Sequence, residues 1–186
     1  KPMAAISAYK MAFRPDVPAG LMIKCGSCDA QELESLRSEL AGYEHIYFLT
    51  ETLSREKVNS LISLVGVAVS LHRAEGFVLV MVEAMFMGTP VIATNWSSNT
   101  EFMTPETACM VGYQMVQLKQ DYGVFKKGNW WADPDVDEAA GYMRRLYEEP
   151  ELYKKLVAGG KMYIELVLSM EQAAEKIRER MAEIYR

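Results

Sequence analysis

SLHRAEGFVLVMVEAMFMGTPVIATN, residues 70–95, is the stretch that decides the fold of this chain. The apolar run at 67–71 predicts a short strand, and HRAEG at 72–76 predicts a turn. Residues 77–88 predict a helix, and PVIAT at 90–94 predicts a second short strand. Together these segments predict one strand–helix–strand unit.

The predicted helix carries one polar side chain, Glu83, between Phe77 and Met87. A helix that is apolar on all sides is expected to be buried in its domain. A carboxylate inside such a helix is costly unless charges or hydrogen-bond donors meet it. Glu83 is therefore either a structural carboxylate paired with a Lys or Arg, or a ligand-binding group.

Glu75 lies just before the first turn of the same helix. Backbone N–H groups are unpaired there and the helix dipole is positive, so the position attracts an anion. Glu75 and Glu83 are separated by roughly 12 Å of helical rise. That span suits a diphosphate at the helix mouth, with a sugar at one end and a ribose at the other.

The remainder of the chain predicts strands that alternate with helices, which is typical of a parallel sheet covered on both faces. Before the central unit we expect helices at 1–13, 29–43 and 54–64, the last capped by Ser54, and strands at 20–25 and 45–50. After it we expect a short helix at 97–103, a last strand at 108–113 and a long surface loop at 114–133. A helix from Pro134 to Glu149, capped by Asp133, should follow. The last two helices are expected at 151–169, interrupted by Gly159 and Gly160, and at 171–185, behind a capping box of Ser169 and Gln172. A length of 186 residues predicts a single domain, residues 1–186, with the terminal helices from about 133 to 186 packing back on it.

Composition excludes several classes of function. The net charge is −5 and the cations are scattered, which disfavours nucleic-acid binding. No apolar run approaches the roughly 20 residues of a membrane span. No signal peptide opens the sequence, so we expect a cytoplasmic protein, with contact at the inner membrane face as a further option. The chain has only three cysteines and two histidines, so neither a disulfide framework nor a metal site built from Cys and His is expected.

Two short patterns imitate known motifs. Cys25-Gly-Ser-Cys28 has redox spacing and follows a predicted strand, but the rest of the chain is not thioredoxin-like. Residues 133–137 imitate the start of a calcium loop, yet Glu138 stands where that loop needs Gly. A helix cap is the better interpretation of the second pattern.

EGFVLVMVE, residues 75–83, resembles the Glu–seven residues–Glu signature of the family 4 retaining glycosyltransferases. The segments at 70–77, 83–96, 97–103 and 126–140 are similar to a bacterial branch of that family that builds polysaccharides. The resemblance implies half of a GT-B fold, which has two Rossmann-like domains and holds the nucleotide-sugar donor on the C-terminal one. This chain resembles that C-terminal domain.

The resemblance also implies a strand and a Gly-rich turn before the first helix, so we expect a Rossmann-like sheet with its first strand missing. That strand would lie at the centre of the sheet, between the strands at 20–25 and 67–71. Whether the sheet is completed in another way stays open.

In such a family the first Glu, here Glu75, holds the donor sugar near its anomeric carbon, and the second, Glu83, accepts hydrogen bonds from the ribose hydroxyls. Glu75 is thus the candidate catalytic residue, acting by position and charge, although it is also placed to be an ordinary helix cap. The backbone N–H groups expected at the diphosphate and sugar belong to Gly76, Phe77, Val78 and Leu79. The family prefers Gly where this chain has Val78, and a β-branched side chain there puts activity in doubt.

The family resemblance assigns roles to some other positions less directly. In the family an Arg and a Lys in the turn after the first strand supply cations to the phosphates. Lys1 is either a remnant of that pair or a solvated charge at the start of the sequence. Leu53, after the strand at 45–50, is placed for the base, because ligands bind at the carboxyl edge of such sheets. Asn99 and Thr100 lie where the wider family has a Gly-Gly turn near the donor, but here Ser97 and Ser98 replace the glycines. His72 and Arg73 are either helpers of Glu75 or an exposed loop pair.

The resemblance implies the donor-binding half of a retaining glycosyltransferase that moves a sugar from a nucleotide diphosphate sugar to a glycan or lipid-linked acceptor. The acceptor is expected to bind through a missing N-terminal domain, so this chain alone is expected to be inactive. No cofactor and no metal are expected. The alternatives are a non-catalytic nucleotide or nucleotide-sugar binding module, and an epimerase or phosphorylase of the same two-domain shape.

Overall fold

A computed structural model describes residues 2–26 and 28–185 as a mixed α/β structure. The helices in that part of the chain are α1 (Met3–Ala12), α2 (Ala30–Glu39), α3 (Arg55–Leu64), α4 (Leu79–Phe86), α5 (Val136–Glu148), α6 (Pro150–Val167) and α7 (Met170–Ile184). The strands are β1 (Leu21–Lys24), β2 (Ile46–Leu49), β3 (Ala68–Ser70), β4 (Val91–Thr94), β5 (Cys109–Val111), β6 (Tyr113–Gln117) and β7 (Trp130–Pro134). A short 3-10 helix spans Ser98–Glu101.

The parallel strands form two sheets. Strand β1 pairs with β2, and β4 lies between β3 and β5, all in parallel. The expected alternation of strands and helices is confirmed from β1 to β5. Among the described residues β1 and β3 each have a neighbour on one side only, which agrees with the expected gap of one strand between them.

The core lies on both faces of β4, whose four residues are all buried. Successive strand residues point to opposite faces. Ile92 joins a cluster with α1 and α5, while Val91 and Ala93 join a second cluster with α3, α4 and α6. Helices therefore cover both faces of the sheet, as expected.

The prediction of a surface loop at 114–133 is wrong. The two ends of this segment form an antiparallel hairpin of β6 and β7, with Met115 opposite Ala132. Every residue of β6 is exposed, so the strand lacks the apolar alternation that marks a half-buried strand. The helix cap is also different from the prediction. Asp133 belongs to β7, and Asp135 caps α5 by accepting a hydrogen bond from the Glu138 N–H at 3.0 Å.

The predicted interruption at Gly159 and Gly160 is wrong as well, because α6 runs through both. A Cβ atom at Gly159 would lie 3.2 Å from the Glu106 carbonyl oxygen, and one at Gly160 would lie 3.1 Å from that of Thr107. The two glycines let α6 approach the turn that precedes β5, so packing rather than local propensity explains them.

The predicted caps at Ser54 and Ser169 are confirmed. Each hydroxyl accepts a hydrogen bond from the N–H three residues later, at Lys57 and Gln172 respectively. Helix α5 packs on β4 and β5, and α6 packs on α4 and α5. Helix α7 buries none of its described residues.

We predict that Gly160→Ala is less stable than Gly141→Ala by about 1 kcal/mol or more. Both changes add helix propensity, but a Cβ at Gly141 in α5 meets nothing within 4 Å, while one at Gly160 crowds a backbone oxygen. Denaturant midpoints of the two variants measure the difference. Equal stabilisation by both changes would contradict the close approach of α6.

Candidate functional site

The loop that carries Glu75 is fastened from one side by two serine hydroxyls. Ser97 Oγ donates to the Glu75 carbonyl at 2.5 Å, and Ser98 Oγ donates to the Gly76 carbonyl. Ser97 has a φ of 77°, a conformation that glycine adopts more readily than serine. The serines that replace the family's glycines therefore hold the loop with side chains, and the carboxylate of Glu75 is left exposed.

The other side of this loop is fastened to the β6–β7 hairpin. Arg73 Nε donates to Asp133 Oδ1 at 2.7 Å, and its guanidinium carbon lies 4.7 Å from the centre of the Trp131 ring. The Arg73 carbonyl also accepts from the Ala132 N–H at 3.0 Å. In the structure the charge of Arg73 is thus directed at the hairpin.

Helix α4 differs from its prediction in two respects. It begins at Leu79, with Phe77 and Val78 in the turn before it. It is also not buried on all sides, because Leu79, Val80 and Phe86 are exposed. Neighbouring helices cover only the face that carries Met81, Ala84 and Met85, and an apolar composition by itself does not show which faces have neighbours.

The start of α4 has no side-chain cap. Helices α2, α3, α5 and α7 each begin with an Asp or Ser side chain that accepts a backbone N–H. Val78 occupies the cap position of α4 with φ −86° and ψ 79°, which is close to the conformation of an inverse γ-turn. The Leu79 N–H donates to the Phe77 carbonyl and the Met81 N–H to the Val78 carbonyl. Among the described residues, the N–H groups at 77, 78 and 80 have no backbone acceptor and are the ones that an anion can bind.

Glu83 lies on α4 with its side chain 14% exposed, and Arg55 at the start of α3 donates to its Oε1. The side chain of Arg55 is 67% exposed, so the partner is a surface cation. The second oxygen, Oε2, is buried and has no hydrogen-bond partner among the described residues. A buried carboxylate oxygen without a donor is costly, and it marks a place where a hydroxyl of a ligand would be stabilised.

The remaining predicted residues are spread around this region. Leu53 is half-buried in the loop before α3. Thr100 is exposed and donates to the Ser97 carbonyl at 2.8 Å. Asn99 is 0% exposed, and its Nδ2 donates to the Thr94 carbonyl at 2.9 Å, so its side chain holds the turn instead of facing a ligand. Lys1 lies outside the described residues.

A groove of about 870 Å³ opens between β1 and β3. Glu75 and His72 are among the residues that line it, and Glu83 is not. His72 Nε2 lies 2.8 Å from the Trp96 carbonyl, which can only accept, so this nitrogen carries the proton of that hydrogen bond. Glu75 therefore lies beside this groove, while Glu83 lies outside it.

The other motif candidates have structural explanations. Burial raises the pKa of Cys25 to about 11 and that of Cys109 to about 12, which disfavours the reactive thiolate. No group of three potential metal ligands is found among the described residues. No helix in the described part of the chain is long and apolar enough to cross a membrane.

A family model for group 1 glycosyl transferases matches residues 5–162. The chain belongs to the group 1 glycosyltransferases. The family resemblance seen in the sequence is thereby confirmed. No curated protein matches this glycosyltransferase chain.

Solved structures share its fold and are GT-B glycosyltransferases. HepE of Anabaena, in complex with UDP and glucose, is 14% identical, with a TM-score of 0.71 over 97% of this chain and 44% of that chain. Sucrose-phosphate synthase of Thermosynechococcus elongatus is 21% identical, with a TM-score of 0.71 over 100% and 43%. The C-terminal domain of the group 1 glycosyltransferase LpcC of Francisella tularensis is 17% identical, with a TM-score of 0.69 over 91% and 78%. This chain spans less than half the length of the first two, and the predicted fold class is confirmed.

Sequence reasoning missed Arg55 as the partner of Glu83 and Asp133 as the partner of Arg73. Partners separated by 28 and 60 positions leave no periodic signal. The one available signal for Arg55 was its place at the start of a helix that follows a strand, since such residues gather at the carboxyl edge of a parallel sheet.

We predict that Arg55→Ala lowers the free energy of unfolding by about 1–2 kcal/mol, because it leaves the largely buried Glu83 carboxylate without a donor. The double variant Arg55→Ala/Glu83→Gln should recover part of that loss. Lys57→Ala, which removes an exposed cation from the same helix, is the matched control and should be close to neutral. Additive losses in the double variant would show that the pair is not coupled.

We further predict that Cys25 and Cys109 react slowly with a thiol reagent at pH 8 in the folded protein, because their pKa values lie well above that pH. Both should react at the rate of a free thiol after unfolding in urea. Mass spectrometry of alkylated peptides at timed intervals measures each site. Fast reaction of Cys25 in the folded state would revive the redox interpretation of the Cys25–Cys28 pair.

Proposed function

We propose that this chain is the donor-binding half of a retaining glycosyltransferase that transfers a sugar from a nucleotide diphosphate sugar to a glycan or lipid-linked acceptor. The single observation that carries the proposal is the start of α4. It has no side-chain cap, Glu75 precedes it, and one turn into the helix Glu83 keeps a buried oxygen without a donor.

The diphosphate binds at the start of α4. Residues Gly76, Phe77, Val78 and Leu79 form the turn into the helix, where the backbone N–H groups and the positive end of the helix dipole favour an anion. Val78 has a negative φ, so this turn does not require glycine at that position.

Glu83 binds the ribose. Its free Oε2 accepts a hydrogen bond from one hydroxyl of the vicinal diol, and its Oε1 is held by Arg55. Charge-assisted hydrogen bonds of this kind are roughly twice as strong as neutral ones. Arg55 keeps the carboxylate in one orientation, and Leu53 in the preceding loop lies on the side where the base is expected.

Glu75 acts on the sugar. Its exposed carboxylate stands at the mouth of the helix and holds the donor sugar near the anomeric carbon, while the leaving diphosphate takes the proton of the acceptor. The loop that carries Glu75 is held on one side by Ser97 and on the other by the contact between Arg73 and Asp133. These contacts fix the position of Glu75. A charged group held in place contributes to catalysis without reorganising during the reaction.

The acceptor binds to an N-terminal domain in this proposal, so the present chain alone transfers no sugar. The structure of HepE holds UDP and glucose, so a uridine diphosphate sugar is the first donor to test. A bacterial polysaccharide pathway at the cytoplasmic side of the membrane fits the sequence pattern.

We predict that at least one of UDP, GDP, ADP and dTDP raises the melting temperature of this chain. At a concentration about 100 times the dissociation constant the gain is about 2.7 kcal/mol, or roughly 5–10 °C for a domain of this size. Differential scanning fluorimetry measures the shift, with inorganic pyrophosphate as the control for binding of the anion alone. No shift with any of the four at millimolar concentration would contradict the proposed donor site.

We predict that Glu75→Ala lowers kcat by about 100-fold or more in a protein that carries both domains, with little change in nucleotide affinity. Glu148→Ala, which removes an exposed carboxylate at the end of α5, is the matched control. Transfer of radiolabelled sugar measures kcat, and the melting shift measures binding. A binding module without catalysis predicts no rate to lose, and normal transfer by the isolated chain would contradict the need for a second domain.

A further inference from the structure

The loop that joins β6 to β7, residues 118–129, is folded on itself. The Tyr122 N–H donates to the Phe125 carbonyl at 2.8 Å and the Phe125 N–H donates to the Tyr122 carbonyl at 3.1 Å, which closes a tight turn between them. The Tyr122 ring packs on the Trp131 ring of β7, with the ring centroids 5.1 Å apart. The loop therefore presents one defined surface instead of an extended tip.

The outer surface of this loop is apolar and aromatic. Val124, in the closed turn, is 85% exposed, and Trp130, where β7 begins, is 57% exposed. Tyr122 is also exposed in spite of its contact with Trp131. An exposed aliphatic side chain beside Trp and Tyr is typical of a surface that lies at a lipid–water interface, where the aromatic rings sit at the level of the headgroups.

Three lysines accompany these apolar side chains. Residues 118–130 contain Lys119, Lys126 and Lys127 and a single acid, Asp121, which gives a net charge of +2. The whole chain has a net charge of −5, so the rest of the chain carries −7. The Asp121 carboxylate is occupied inside the loop, because it accepts from the Lys126 Nζ and from the Lys127 N–H, each at 2.9 Å. A positive loop on an acidic chain is complementary to an anionic surface.

Helix α7 offers a second apolar surface, but its charge does not fit the same partner. Ile177, Met181 and Ile184 of this helix are exposed. Residues 170–184 contain four Glu and three Lys or Arg, which gives a net charge of −1. An anionic surface therefore attracts the loop at 118–129 more strongly than it attracts α7.

We propose that the loop at 118–129, together with Trp130, attaches this chain to the surface of an anionic lipid bilayer. Val124 and Trp130 enter the headgroup region, while the lysines bind lipid phosphates. Strand β7 also contacts Arg73, two residues before Glu75, so attachment brings the candidate site towards the lipid surface. The proposal rests on the loop alone and is independent of the proposed transferase function.

The test measures co-sedimentation of the present chain with two kinds of vesicle at about 0.1 M salt. One kind is phosphatidylcholine with about 40% phosphatidylglycerol, and the other is phosphatidylcholine alone. We expect the partition constant to be about tenfold or more higher for the anionic vesicles. Equal binding to both kinds of vesicle, or no binding to either, would overturn the proposal.

The charge of the loop is tested with Lys119→Gln/Lys127→Gln. This double variant should lower the partition constant by about tenfold or more, since each lysine near the lipid surface contributes roughly fivefold. The matched control is Lys161→Gln/Lys176→Gln, which removes two exposed lysines from α6 and α7 and should change the constant by about twofold or less. Equal losses in the two double variants would show attraction by the chain as a whole and would overturn the site.

The apolar contact is tested with Val124→Ser, which should lower the partition constant by about threefold or more without a change of charge. Leu64→Ser removes an aliphatic side chain that is 83% exposed at the end of α3 and is the matched control. No loss with Val124→Ser would overturn insertion of the loop. So would a loss confined to Ile177→Ser/Ile184→Ser, because α7 would then be the attached surface. Binding of soluble polygalacturonate with the same sensitivity to Val124→Ser would make an acidic glycan the occupant and would overturn the proposal as well.

Melting temperatures verify that each variant is folded. A second measurement needs no substitution and remains valid if a loop variant does not fold. Brominated phosphatidylcholine in the anionic vesicles should quench the tryptophan fluorescence of the bound chain, because Trp130 enters the headgroup region. Bound chain without quenching would overturn the proposal.

Discussion

The ion pair between Arg55 and Glu83 is the contact on which the organisation of the site depends. It joins the start of α3 to the middle of α4, and it gives a carboxylate on an apolar helix one compensating charge. It leaves the second oxygen of that carboxylate buried without a donor. A donor that reached this oxygen, from water or from a ligand, would therefore be stabilised.

The loop that carries Glu75 is held in place by contacts of its backbone and of Arg73. Glu75 has no described contact through its own carboxylate, yet its backbone is held by Ser97, and two residues earlier Arg73 binds the β6–β7 hairpin. The hairpin and the turn at 97–98 therefore position a charged group that itself stays exposed. A group of this kind suits electrostatic work on a substrate, because its position is fixed before the substrate arrives.

The sequence predicted most of the elements because strand–helix alternation and serine caps are local signals. The parts that it could not predict are set by tertiary contacts. The pair Gly159-Gly160 predicts a helix break, but α6 continues through it, because a Cβ atom at either position would crowd the carbonyls of residues 106 and 107. Strand β6 is exposed on both faces and therefore has no apolar period to detect.

The candidate site was predictable in outline from the two carboxylates and their spacing around one helix. The burial of the Asn99 side chain and the pairing of Glu83 with Arg55 were not, since both depend on residues brought together by the fold. The exposure of Leu79 and Val80 could not be predicted from the sequence either, because it depends on which helices lie next to α4.

The central claim is that the free oxygen of Glu83 receives a ribose hydroxyl. Calorimetric titration of the best-binding nucleoside diphosphate and of its 2′,3′-dideoxy form, each against this chain and its Glu83→Ala variant, tests that claim most directly. The account predicts that loss of the diol weakens binding to the unchanged chain by about tenfold or more and has little effect on the variant. Equal affinities of the two nucleotides for the unchanged chain, or an equal loss in both proteins, would contradict it.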